Sequence, residues 1–244
     1  MLAPATVRTA AFHSAIHPSI SPSAKPLGRA PAATGNSVDA AGDRLSETMR
    51  LMGATMSFTR NSEIFGEDEP ADYLYKVISG CVRTYRILSD GRRQITGFYL
   101  PGEVFGLAFG ADHTESAEAI ADSKVVVLKR RALDAVAERD AAITRELFAL
   151  TGHELRRVQD RILLLIESAQ ERVVGFLLEM ADRLAAERTY ELPMSRQDIA
   201  DYLGLTIETV SRTLTALEGR AAIEVGGSRR IVLRNRAALA AMVN

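Results

Sequence analysis

The chain has 244 residues, 47% of them hydrophobic, and a net charge of −1. That length fits one large or two small domains with real cores, and no apolar run reaches the roughly 18 residues a bilayer span needs. A near-neutral balance supplies no global basic field, so a polyanionic partner would have to be met by locally placed cations.

Residues 1–50 stand apart. Five of the eight prolines fall in the first 31 positions, and no acidic residue precedes Asp39. Such a segment buries too little surface to offset its ordering entropy, and a disordered N-terminal arm is expected over 1–50. Its lack of acids faintly resembles an organelle transit peptide. Arg8, Lys25 and Arg29 carry its early positive charge.

Residues 51–135 read as β-rich. Gly80, Gly91 and Gly102 recur every 11 residues, and Asp90–Gly91 and Pro101–Gly102 are turn signals. Strand-like runs lie at Tyr73–Ile78, Cys81–Leu88, Gln94–Leu100 and Val125–Leu128. Short strands with turns at this spacing suggest a sandwich, barrel or roll. Cys81 is the single cysteine. It reads either as a small buried hydrophobe or as a redox switch if exposed with a lowered pKa. One thiolate cannot hold an iron–sulfur cluster, and a lone cysteine suits a reducing cytoplasm. His13, His17, His113 and His153 show no metal-ligand spacing. No nucleophile–base pairing, phosphate loop or metal cluster stands out, so no enzyme is expected.

From Glu138 to about Glu167 there is no proline and one glycine, Gly152. Phe148, Thr151, Leu155, Val158, Ile162 and Leu165 follow alternating steps of three and four, a short coiled-coil seam. The seam suits a homodimer, and the alternative is that it faces the chain's own β-region. Residues 136–167 are therefore expected to be a dimerisation helix. Ser168–Gln170 would be the hinge, and Glu171–Arg188 a further amphipathic helix with Val174, Leu177, Leu178 and Ala181 inward.

The last segment, 168–244, carries the sharpest pattern. Ser195 and Asp198 form a capping-box variant at the start of a helix over Arg196–Leu203. Gly204 supplies a turn that a Cβ would hinder, and Thr206 caps a second helix from Ile207 to about Glu218. Ile199, Ala200 and Leu203 face inward on the first helix, Val210, Leu214 and Leu217 on the second. Glu208, Ser211 and Arg212 are left on the outer face. This is the layout of a helix-turn-helix whose second helix enters a DNA major groove. Arg212 suits guanine O6 and N7, Glu208 a cytosine amine, and Ser211 either kind of edge. The competing reading is an ordinary Glu208–Arg212 surface ion pair. Ser195, Thr206 and Thr209 are candidate contacts to the DNA backbone. Ala222–Val225, Gly226–Gly227–Ser228 and Arg229–Leu233 read as a hairpin wing. Arg229 and Arg230 beside its turn are candidate phosphate contacts, or a solvated strand edge. Arg236–Val243 would be a short closing helix. Residues 190–244 hold seven Arg against six Asp plus Glu. Affinity must then rest on local placement and on pairing two subunits, with strong salt dependence.

The blocks MSRQDIADYLGLT and IETVSRTLTALE, with the wing behind them, resemble the DNA-binding domain of the Crp–Fnr superfamily of transcription regulators. Glu208, Ser211 and Arg212 sit where its Fnr and FixK branches place an E-x-x-S-R base-reading set. The cyclic-AMP receptor branch has Arg at the position of Ile207 and Gly at that of Ser211. The segment ISGCVRTYRILSDGRRQITGFYLPGEVFGL resembles FixK-like members. The resemblance spans about residues 55–243. It implies an α+β chain: a cyclic-nucleotide-binding-like β-roll, a long dimerisation helix and a C-terminal winged helix-turn-helix. It further implies a cytoplasmic bacterial homodimer, with no membrane role, on a TTGAT-N4-ATCAA-like palindrome of double-stranded DNA. Activation through RNA polymerase at genes of low-oxygen respiration, denitrification or nitrogen fixation would follow. Two departures from the superfamily pattern limit cofactors. The Fnr-type N-terminal cysteine cluster is missing. Where nucleotide-binding members carry F-G-E-L and an Arg-Ser pair, this chain has Phe105–Gly106–Leu107–Ala108 and Thr114–Glu115–Ser116–Ala117. Glu115 would repel a phosphodiester with nothing nearby to compensate, so no cofactor is expected. The alternative function is a ligand- or redox-sensing module of the same fold that acts through protein contacts.

Overall fold

The computed structural model describes residues 44–108, 110–163, 166–227 and 229–243. Positions 1–43 of the expected arm lie outside them. Positions 44–50 do not, and here the structure corrects the sequence reading: Arg44–Met52 is a helix, α1. Leu45 and Met49, one turn apart, are buried. The Glu146 carboxylate accepts the backbone N–H groups of Arg44 and Leu45 at 3.0 and 2.8 Å. Two orphan donors and a partial positive charge at the helix start are thereby met by one anion.

Eight strands follow: β1 (Ala54–Phe58), β2 (Glu63–Phe65), β3 (Tyr73–Ser79), β4 (Val82–Ile87), β5 (Arg93–Tyr99), β6 (Val104–Phe105), β7 (Ser116–Ala119) and β8 (Ser123–Lys129). They form two antiparallel sheets, β1-β8-β3-β6 and β2-β7-β4-β5, closed on each other as a β-roll. The strands expected at 73–78, 81–88, 94–100 and 125–128 all form, within one to two residues. Phe65, Tyr75, Val77, Val82, Tyr99 and Phe105 fill the space between the sheets. Gly80 turns the chain from the first sheet to the second with φ +85°, and a Cβ there would lie 2.2 Å from Ser123 Oγ and 2.5 Å from the Asp122 carbonyl.

The helix expected from Glu138 starts three residues later, at Ala141, and is preceded by a short helix that the sequence did not suggest. A short α2 (Arg130–Ala137) precedes α3 (Ala141–Leu163), and between them Asp140 accepts from the Ala142 N–H at 2.9 Å, starting α3 afresh. Ile143 of α3 is buried with α1 and α2 against the outer face of the first sheet. Next comes α4 (Ala169–Arg183), opened by a reciprocal Ser168–Glu171 capping box. It starts two residues earlier than expected and stops at Arg183, where Ala185 takes φ 49°. The remaining elements are β9 (Thr189–Glu191), α5 (Arg196–Leu203), α6 (Ile207–Gly219), β10 (Ile223–Gly226), β11 (Arg230–Leu233) and α7 (Arg236–Ala240). β9, which the sequence did not suggest, pairs with β11, so the wing is the three-stranded sheet β10-β11-β9.

Roll and C-terminal domain share a core. On β5 the period-two alternation of side chains turns Tyr99 into the roll and Phe98 outward, 6.2 Å from the Phe176 ring and 5.2 Å from the Tyr202 ring. Burial of an aromatic of this size contributes about 1.5–3 kcal/mol. Cys81 belongs to the same core and is fully buried, and burial pushes its thiol up to about 12. The redox reading of Cys81 is therefore corrected: a thiol without solvent access or thiolate character is a packing group.

Two tests follow from this packing. Gly80→Ala combines left-handed strain with a clash against backbone, and is expected to cost about 2–5 kcal/mol in urea unfolding. Cys81 is expected to resist a thiol reagent at neutral pH in the native protein and to react fully in denaturant. Rapid labelling of the native fold would restore the redox reading.

Candidate DNA-reading surface

The two helices expected over Arg196–Leu203 and from Ile207 to about Glu218 are α5 and α6. Ser195 caps α5: its Oγ accepts from the Asp198 N–H at 3.1 Å, while Asp198 Oδ2 accepts from the Ser195 N–H at 2.9 Å. Gly204 ends the helix in the left-handed region at φ 65°. Thr206 caps α6, its hydroxyl accepting from the Thr209 N–H at 3.2 Å. All six residues expected inward, Ile199, Ala200, Leu203, Val210, Leu214 and Leu217, are buried.

What remains outward on α6 is Glu208, Ser211 and Arg212. Glu208 and Arg212 are exposed and Ser211 is half-buried. The Glu208 carboxyl is held below the usual carboxylate range by its own backbone N–H, then by the Thr206 hydroxyl, with Arg212 contributing least. It is thus an ionised acceptor at neutral pH, and its charge suits the positive start of a helix. Thr206 is exposed and Thr209 half-buried, their hydroxyls 3.1 Å apart at the start of α6.

A cleft of about 400 Å³ lies between the start of α5 and the wing, lined by Ser195, Arg196, Gly227 and Arg229. Arg229 is half-buried, with one guanidinium N–H donated to the Pro193 carbonyl at 3.1 Å. Arg230 is exposed on β11, its side chain lying over Gly226 of the paired strand rather than in the cleft. Ser228 at the wing tip lies outside the described residues. Sequence reasoning missed Arg196. It is the first residue of α5, and its Nη1 donates to Ser211 Oγ at 3.4 Å, linking the two helices on their outer side. Its place directly after the Ser195 cap was the available signal.

On α3, Phe148 is 80%, Leu155 58%, Val158 55% and Ile162 59% exposed. Thr151 is half-buried, its hydroxyl donated back to the Leu147 carbonyl at 3.0 Å. Leu165 lies outside the described residues. The stripe faces away from the roll, which answers the alternative that it packs there. The opposite face is fastened by arginines. Arg157 donates to the Phe98 carbonyl at 3.2 Å and lies over the Tyr99 ring; Arg161 donates to the Ile95 carbonyl at 2.6 Å and lies 4.7 Å from the Tyr202 ring.

In the roll, where the sequence resemblance would place an Arg-Ser pair, the chain carries Glu115 and Ser116. Glu115 accepts from the Thr96 hydroxyl, and Thr96 is 2.7 Å from Thr84. Burial is the largest influence on the Glu115 carboxyl and pushes it upward. Contrary to the sequence reading, a cation does act on it, Arg161, but that guanidinium is already committed to the Thr96 and Ile95 carbonyls.

Among known families, the Crp-like helix-turn-helix domain matches residues 171–242 and the cyclic nucleotide-binding domain residues 55–140. The chain is 47% identical to the nitrogen fixation regulation protein FixK of Azorhizobium caulinodans, over 80% of this chain and 82% of that one. It is 43% identical to the FixK of Rhizobium meliloti, over 75% and 83%. The solved structure of FixK2 from Bradyrhizobium japonicum superposes with a TM-score of 0.76 at 50% identity, covering 79% of this chain and 98% of that one. No helix among the described residues is long and apolar enough to cross a membrane. With a β-roll, a winged helix-turn-helix and relatives of this closeness, the chain belongs to the FixK-like branch of the Crp–Fnr transcription regulators, a family of DNA-binding proteins and not of enzymes.

Proposed function

We propose that the protein acts as a homodimer on a TTGAT-N4-ATCAA-like palindrome. One observation carries the reading: the outer face of α6, with Glu208, Ser211 and Arg212, and the apolar stripe of α3 are open at the same time. One reading helix covers too few base pairs for useful specificity, and two placed about 34 Å apart on a duplex read a palindrome. Phe148, Thr151, Leu155, Val158 and Ile162 form the subunit interface. Arg212 takes guanine O6 and N7, Glu208 accepts from cytosine N4, and Ser211 meets a neighbouring edge. Ser195, Thr206, Thr209, Arg229 and Arg230 hold phosphates and fix register.

The roll serves without a bound nucleotide, a reading supported by Glu115 and by the engaged Arg161. The name shared by the FixK relatives, nitrogen fixation regulation protein, supports control of nitrogen-fixation genes. Control of low-oxygen genes, in a bacterial cytoplasm, belongs to the same reading. Activation by contact with RNA polymerase belongs to the same reading.

A mobility-shift titration on TTGAT-N4-ATCAA DNA tests the proposal. Arg212→Ala is expected to cost about 1–3 kcal/mol on this site and little on unrelated DNA. Absence of a shift at low salt, or indifference to the half-site guanine, would favour a module that works through protein contacts. Leu155→Asp with Val158→Asp is expected to give a monomer in sedimentation and to abolish the specific shift. A double variant that stays dimeric would remove α3 from the interface.

A further inference from the structure

The reading surface is joined to the roll by a buried ionic network. Asp198 uses Oδ2 to cap α5 and Oδ1 to accept from Arg83 at 2.5 Å and Arg93 at 3.1 Å. Arg83 is 7% exposed and is also held by Glu118 at 2.8 Å. Arg93 reaches Asp201 as well, through Nε at 2.9 Å and Nη2 at 2.8 Å. Tyr85 lies between the two guanidinium groups, 5.8 and 6.0 Å from its ring centre. Beside them Gln94 donates to the Asp201 carbonyl at 2.7 Å. Arg161 of α3 grips the next carbonyls of the same strand, β5.

Burying so many charges is an expensive way to gain stability, because desolvation cancels most of the attraction and apolar packing would serve as well. Charge pairs with fixed hydrogen-bond directions supply orientation instead. The path runs from α3 through Arg161 to β5, then through Arg93 and Gln94 to α5 and so to α6. It fixes the vector from the dimer seam to the reading helix independently of the chain connection between α3 and α4. The docked arrangement leaves both functional faces free, so it is compatible with DNA binding.

We infer that Arg83, Arg93 and Gln94 of the roll and Asp198 and Asp201 of α5 are positioning residues that set which half-site spacing the protein accepts. This rests on the palindrome reading above. Two readers held rigidly at one separation bind a correctly spaced site without an ordering cost and pay strain on any other. Loosened readers bind the right site less well and reject the wrong ones less sharply.

The experiment measures affinities of the wild type, Arg93→Gln, Asp201→Asn and the double variant for operators with spacers of four, three and five base pairs. Arg83 and Asp198 are left intact because removing either strands a buried charge. Each single variant is expected to lose about five- to tenfold on the four-base-pair spacer and to show a flatter spacer preference, with the double variant no worse than either single. General destabilisation lowers the active fraction for all three operators alike and leaves their ratio unmoved, so the ratio reports positioning. An unchanged ratio, tighter binding by the variants, or additive losses would each overturn the inference. Failure of the wild type to prefer any half-site sequence would instead overturn the palindrome reading.

Discussion

Strand β5 is committed on both faces and along its backbone, and the placement of the DNA-reading helix follows from that. Its inward ring, Tyr99, closes the roll, and its outward ring, Phe98, enters the core of the C-terminal domain. Its carbonyls accept Arg157 and Arg161 from α3. Its first two side chains, Arg93 and Gln94, reach α5. A strand so engaged cannot shift register without breaking contacts in three elements, because a slip of one residue reverses every side chain.

The same logic explains the division of labour on α3. One face is aromatic and cationic, and ties the helix to β5 and Tyr202. The other keeps four large apolar side chains in water. A continuous apolar stripe left exposed on a helix already fastened elsewhere is what supports the proposed subunit interface. In the proposed dimer the roll would be a spacer of defined shape between the subunit seam and the reader. Its family's pocket carries a carboxylate, Glu115, locked to Thr96.

Much of this was legible in the sequence where the signals are local. The caps Ser195 and Thr206, the turn at Gly204 and the inward hexad of α5 and α6 all follow from positions a few residues apart, and the structure matches them closely. The seam of α3 was legible as a periodicity, but not the side it faced, because periodicity carries no information about the partner. Helix α1 was hidden by the proline-rich composition upstream of it, and it is held by Glu146, some hundred residues away. β9 is three residues long and exists because β11 offers it an edge. The start of α3 at Ala141 rather than Glu138 turned on one carboxylate, Asp140, that looks like any other acid in the pattern. The Arg83–Asp198 and Arg93–Asp201 contacts span 115 and 108 positions, and in sequence all four residues look like ordinary surface charges.

Asp198 shows how far such a residue can be constrained. For the capping box alone, a Glu or Gln at this third helical position would serve as well. Here the second oxygen is claimed by the roll. A C-terminal domain from a distant regulator, grafted onto this roll with a perfectly good helix start but a neutral amide in that place, would leave Arg83 with Glu118 as its remaining carboxylate and its other amino group facing an empty seat. Reader and roll therefore form a matched pair: this fold is modular in its outline but not in its joints.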